Sequence, residues 1–198
     1  LALALDPGLG RPFAYLQGHP ARGYLTEPLI RRLFGHGPRR TLTAESPLRR
    51  WILVHEEQTG PGEPAALSGD PILPDWLLGD HHLDAELVGV ATLVQPLPPL
   101  PRWPVEETAA LILRALDADR GGRVRVRVVG PPGTGRRTLA ATISQRLNLP
   151  LLAIDTDCIA EADWSAVFLR AQRQAYLDGC ALAWVGDAAL RRRWPNSQ

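Results

Sequence analysis

Arg123-Val-Arg-Val-Arg-Val-Val129, then Gly130-Pro131-Pro132-Gly133-Thr134-Gly135-Arg136-Arg137-Thr138, then Leu139-Ala-Ala-Thr-Ile-Ser-Gln-Arg-Leu-Asn148 is the stretch on which the fold turns. The first run alternates and is β-branched, which predicts a strand. The last predicts a helix. A strand, a glycine-rich loop and a helix in that order are the setting of a phosphate-binding loop. Its glycines let successive backbone N–H groups point at one anion, and the helix N-terminus adds its positive end. Against the pattern G-x-x-x-x-G-K-[ST], Gly130 and Gly135 fall on the glycine positions. Arg136 stands at the lysine, and Arg137 stands at the hydroxyl that holds Mg²⁺. Thr138 comes one residue late, which is about 100° around a helix. Shifting the frame to fit it puts Pro131 and Arg136 on the glycine positions.

Working outward, Val94-Gln-Pro-Leu-Pro-Pro-Leu-Pro-Arg-Trp-Pro104 holds five prolines in eleven residues and predicts an extended connector. It divides the chain into residues 1–93, a linker at 94–104, and residues 105–198. Beyond it, 105–118 places Val105, Ala109, Ile112, Leu113 and Leu116 on one helical face, with Glu106 and Glu107 in the first turn. Residues 150–155 predict a second strand, 161–177 a helix, and 181–185 a third strand ending at Val185-Gly186-Asp187-Ala188.

The loop resembles the Walker A motif of AAA-type ATPases, usually written GPPGTGKT. The resemblance implies an α/β fold: a P-loop NTPase parallel sheet, incomplete at its C-terminal end, binding ATP or ADP with Mg²⁺. Residues 130–138 (Gly130, Pro131, Pro132, Gly133, Thr134, Gly135, Arg136, Arg137 and Thr138) are then the nucleotide-binding set. The strand at 181–185 takes the Walker B place, where the family has one carboxylate for Mg²⁺ and one to polarise the attacking water. Asp187 is left as the catalytic or the metal-binding carboxylate, depending on the frame, and either frame loses a carboxylate. The implied sheet order, 5-1-4-3-2, leaves a gap in this chain's own sheet. The sensor strand, the trans-acting arginine and the helical lid of the family have no counterpart among the eleven residues after Asp187.

The layout as a whole is similar to the N-terminal half of the bacterial two-AAA-domain ATPases found with contractile injection systems, whose first AAA domain is degenerate. That resemblance implies a cytoplasmic, hexamer-like homo-oligomeric ring and injection-system components as partners. The reading that follows is a degenerate nucleotide-binding module or ring scaffold that is inactive alone; the alternatives are a variant-site ATPase using Arg136 and a winged-helix nucleic-acid binder.

The first half predicts a small winged-helix-like α+β module. A helix from 25 to 34 is capped by Thr26 and stopped by Gly35, a strand runs from Trp51 to His55, and a strand and turn occupy 66–74. Helices are expected at 75–79 and 83–91. Arg31-Arg32, Arg39-Arg40 and Arg49-Arg50 are its candidate phosphate contacts, but the acidic stretch after residue 55 disfavours nucleic acid. Residues 51–100 carry eight carboxylates and no arginine, while the 198-residue chain has a net charge of only +1. A uniformly basic nucleic-acid coat is thereby excluded. His81-His82 lacks a third ligand at metal spacing. Two cysteines, Cys158 and Cys180, make no disulfide framework and fit a reducing compartment. No apolar run is long enough to span a membrane. All 22 cations are arginine, so lysine chemistry is absent, and the lack of any methionine makes the chain read as a piece of a longer one.

Overall fold

Side-chain caps start two of the α-helices, with Thr26 and Ser46 as the capping residues. The computed structural model describes residues 1–35, 37, 42–118, 123–186, 189, 190 and 192, and the chain divides into two units, Leu1–Asp84 and Ala85–Gln198. The first unit contains α1 (Ala2–Leu5), α2 (Gly10–Gln17), α3 (Glu27–Phe34), α4 (Pro47–Arg50), β1 (Val54–Glu57), β2 (Ala66–Gly69) and α5 (Ile72–Leu77). Thr26 is fully buried. Its hydroxyl accepts from the Leu29 amide at 3.3 Å and donates to Gln17 Oε1 at 2.7 Å. One side chain thus caps α3 and ties it to α2. Gly35, at φ 67°, ends α3 in the left-handed conformation that glycine adopts without strain.

β1 and β2 form an antiparallel pair running from Val54↔Gly69 to Glu57↔Ala66. The strand expected from Trp51 begins only at Val54, because Ser46 and Pro47 start a short helix and Ile52 turns the chain at φ 54°. Buried Asp70 follows β2, with Oδ1 accepting from the Ile72 amide at 3.2 Å and Oδ2 on His55 Nε2 at 3.0 Å. α5 begins at Ile72, ahead of the expected residue 75, since Pro74 lies in its first turn where no N–H is required.

The second unit contains β3 (Ala91–Val94), α6 (Val105–Ala118), α7 (Arg136–Arg146), β4 (Leu151–Asp155), α8 (Trp164–Leu177) and β5 (Ala181–Val185). Its sheet has the order β3-β4-β5. β4 and β5 are parallel, from Leu151↔Ala181 to Asp155↔Val185. β3 is antiparallel to β4, from Ala91↔Ile154 to Val94↔Leu151. Leu151, Leu152, Ala153 and Ile154 are all buried, as expected of a central strand covered on both faces. Trp164 and Phe168 of α8 pack on Trp184 of β5, with ring centroids 5.5 and 5.2 Å away.

The fold is α/β, but three expectations give way. The sheet is mixed, not wholly parallel. Residues 83–91 are not a helix: they hold one 3₁₀ turn at Ala85–Leu87, and Gly89 at φ 88° sends the chain into β3. β3 therefore joins the second unit, and the division falls after Asp84, ahead of the 94–104 connector.

The strand expected at 123–129 does not form. Residues 123–130 lie in no helix or strand, and among the described residues no backbone hydrogen bond reaches them. A strand needs a neighbour for its N–H and C=O groups, and a central position would bury three arginines on one face. The helix at 105–118 has the expected bounds, yet only Val105 and Ala109 are buried while Leu113 and Leu116 stay exposed.

Ile154 is fully buried, so Ile154→Ala is expected to lower stability by about 2–5 kcal/mol. Thr92→Ala, at an exposed position of β3, should stay within about 0.5 kcal/mol. Urea unfolding followed by far-ultraviolet circular dichroism compares the two, and equal effects would contradict the central place of β4.

Candidate functional site: a glycine-rich loop at a helix N-terminus

The proline-free start of α7 grows directly out of the glycine-rich loop. Gly133 and Gly135 have φ of 80° and 77°, conformations that other residues adopt with strain. Gly135 is the residue before the first helical position of α7. A Cβ there would lie 2.9 Å from Trp103 Cη2, so the indole ring sits directly on this glycine. Thr134 Oγ1 donates to the Pro131 carbonyl at 2.8 Å and closes the turn. Pro131, Pro132, Gly133 and Thr134 are exposed, as are Arg136 and Arg137, while Gly130, Gly135 and Thr138 are half-buried. The turn thus presents its backbone to solvent at the positive end of an eleven-residue helix.

Further down α7, the Thr142 hydroxyl donates to the Thr138 carbonyl at 2.8 Å and to the Leu97 carbonyl at 3.2 Å. The proline-rich connector is thereby pinned to the helix that follows the loop. Arg146 and Glu106 join α7 to α6 at 2.6 Å. A groove of about 580 Å³ lies there, lined by Pro99, Trp103, Glu106, Thr142, Gln145 and Arg146. It contains none of residues 130–138, although its Trp103 borders Gly135.

Two strand ends complete the neighbourhood. Asp155 closes β4, with Oδ1 accepting from the Asp157 amide at 3.2 Å and Oδ2 accepting from Arg137 Nη2 at 3.2 Å. Thr156, fully buried, donates its hydroxyl to the carbonyls of Val185 at 2.6 Å and Gly186 at 3.0 Å. Gly186 has φ 112°, and a Cβ on it would stand 2.3 Å from Thr156 Oγ1 and 3.1 Å from Asp157 Oδ1. No side chain fits at 186 while Thr156 keeps its place. Asp187 lies outside the described residues.

The motif reading names the loop but not its neighbours Asp155, Thr156 and Trp103. A carboxylate at the carboxyl end of a parallel strand, where α/β sheets bind ligands, was the available signal for Asp155. Nothing local announces Trp103 on Gly135. Elsewhere, Arg32 donates to the Leu16 carbonyl at 2.7 Å and Arg49 pairs with Glu56, so these two candidate phosphate contacts are engaged within the chain. Arg39 and Arg40 lie outside the described residues. His82 meets Asp75 at 3.3 Å, and among the described residues no cluster of three or more His, Cys, Asp or Glu side chains could hold a metal ion. Both cysteines are free. Burial, with the Asp178 carboxylate nearby, pushes the Cys180 thiol up from its ordinary value. No helix among the described residues is long and apolar enough to cross a membrane.

Two outcomes follow from this geometry. Gly186→Ala is expected to cost more than the roughly 1–2 kcal/mol of a left-handed alanine, because the Thr156 hydroxyl must also move. A melting temperature unchanged by that substitution would contradict the close approach. At pH 8 the exposed Cys158 should be alkylated ahead of Cys180, whose thiolate fraction is depressed. Peptide mass mapping after brief iodoacetamide treatment checks the order.

Compared with known protein families, with curated proteins and with solved structures, the chain matches none.

Proposed function

We propose that this chain is a degenerate nucleotide-binding module of the AAA type, taking ATP or ADP weakly and acting as a scaffold in a ring driven by another domain. The observation that carries the reading is the glycine-rich turn of 130–135 opening onto the N-terminus of α7, with Gly133 and Gly135 both left-handed. Exposed N–H groups in that arrangement bind phosphate through the backbone, and the departures at 136 and 137 leave that backbone intact. The parallel β4–β5 pair supports the same reading, since the second and third strands are neighbours in the sheet order that the Walker A resemblance implies. The helices and β1–β2 pair of the first unit support a winged-helix-like module preceding it. On this reading the partners are nucleotide, further copies of the chain in a cytoplasmic ring and, following the closer resemblance, components of a contractile injection system.

Hydrolysis is a different matter from binding. A phosphoryl-transfer site needs positioned positive charge and an oriented water. Arg136 keeps a positive charge beside the loop, but its longer planar head does not reproduce a lysine ammonium. Arg137 offers only donors where an oxygen is needed.

With ATP and Mg²⁺, the purified chain is expected to release no phosphate above a protein-free control. ADP or sulfate should bind at millimolar concentration, and Arg136→Ala should weaken that binding several-fold. Phosphate release that Arg136→Ala abolishes would establish the variant-site ATPase instead. Calorimetry showing no affinity for either anion at millimolar concentration would contradict the nucleotide-binding reading.

A further inference from the structure

We infer that the loop takes its phosphate ligand free of metal, and that Arg137, held by Asp155, supplies the positive charge a divalent cation would otherwise bring. This rests on the nucleotide-binding reading above and sharpens it. The Walker A resemblance implies Mg²⁺, and the described residues at the loop and the two strand ends do not fit that ion.

Mg²⁺ requires about six oxygen ligands in near-octahedral geometry, usually including one or two carboxylates from the protein. In a loop of this spacing the residue after the conserved cation supplies a hydroxyl to the metal. Here that residue is Arg137, a fixed positive charge with five N–H donors and no acceptor. It repels a divalent cation.

The nearest strand end is already committed. Asp155 has both oxygens engaged, Oδ1 by the Asp157 amide and Oδ2 by Arg137. At the end of β5 the exclusion is steric. Gly186 adopts φ 112°, and any Cβ would stand 2.3 Å from Thr156 Oγ1, the hydroxyl that joins the ends of β4 and β5. A carboxylate cannot be placed at 186 without breaking that join. Position 137 and, in the frame that sets the metal carboxylate at 186, that position too are thus closed to a metal-binding oxygen, one by charge and one by space.

The ion pair has a second consequence. Arg137 and Asp155 remain 54% and 39% exposed, so their attraction is screened and weak. A phosphate group arriving at the α7 N-terminus can share the Arg137 guanidinium, whose five donors are not exhausted by its one bond to Asp155. The anion then gains in Arg137 the positive charge that a metal ion would otherwise bring. Asp155 competes with the ligand for that guanidinium. Because Arg137 repels a divalent cation, free ADP is preferred to its Mg²⁺ complex.

The test is calorimetric titration of the full chain with ADP, once in EDTA and once in excess Mg²⁺. The apparent dissociation constant is expected to be larger in excess Mg²⁺ than in EDTA. Asp155→Asn keeps the oxygen that caps Asp157 but gives up the charge, and it should tighten ADP binding in EDTA by about two- to fivefold. Circular dichroism establishes that this variant folds, and the comparison of buffers needs no variant at all. Binding equal or tighter in Mg²⁺ would overturn the inference while leaving nucleotide binding standing. Weaker binding by a folded Asp155→Asn chain would overturn the competition. Absence of ADP binding in both buffers would overturn the nucleotide-binding reading and this inference together.

Discussion

The second unit depends on β4. It is the only described strand in that unit with a neighbour on each edge, β3 on one side and β5 on the other, and four of its five residues are buried. Its last residue and the one after it then reach two places at once. Asp155 touches Arg137, in the first turn of α7, and Thr156 closes onto the end of β5 through the carbonyls of Val185 and Gly186. Because β4 is held on both edges, those contacts are made from a fixed point. The hydroxyl of Thr156 adds a specific cost to any change: it is buried, and losing its acceptors would leave a polar group unsatisfied at about 1–3 kcal/mol.

The same fixed point accounts for the character of the loop. Phosphate binding through backbone N–H groups asks only for glycines that can turn and a helix that begins there, and both are present. Metal-assisted chemistry asks for oxygens at defined positions, and on the proposed reading two of those positions hold a guanidinium and a glycine that has no room for a side chain. The two requirements are separable, and the proposed reading has the loop meet the first without the second. Trp103 on Gly135 and the Thr142–Leu97 hydrogen bond then tie the proline-rich connector to the helix that carries the loop.

Elements with signals inside their own sequence were legible before the structure. α3 carries its cap and its stop, α6 has the expected bounds, and β5 is a short apolar run at its expected place. Elements that depend on a distant partner were not. Residues 123–129 have strong β-propensity, but a strand exists only where a neighbour completes its hydrogen bonds, and none of the described residues does so. Ala91–Val94 has the reverse history: it lies beside a proline run that argues against sheet, and it pairs because β4 offers an open edge. The site divides the same way. The glycine spacing is local and readable, whereas the Arg137–Asp155 pair joins residues 18 apart and the clash that requires glycine at 186 comes from a threonine 30 positions earlier.

The central claim is that the backbone of the glycine-rich loop is an anion site. Backbone amide resonances of isotopically labelled protein, followed during titration with pyrophosphate in EDTA, test it at the atoms concerned. The account predicts saturable shifts concentrated at Gly133, Thr134, Gly135, Arg136 and Arg137, with the Arg32 and Arg49 amides unmoved. Shifts confined to other parts of the chain, or loop amides that stay in place at millimolar pyrophosphate, would contradict it.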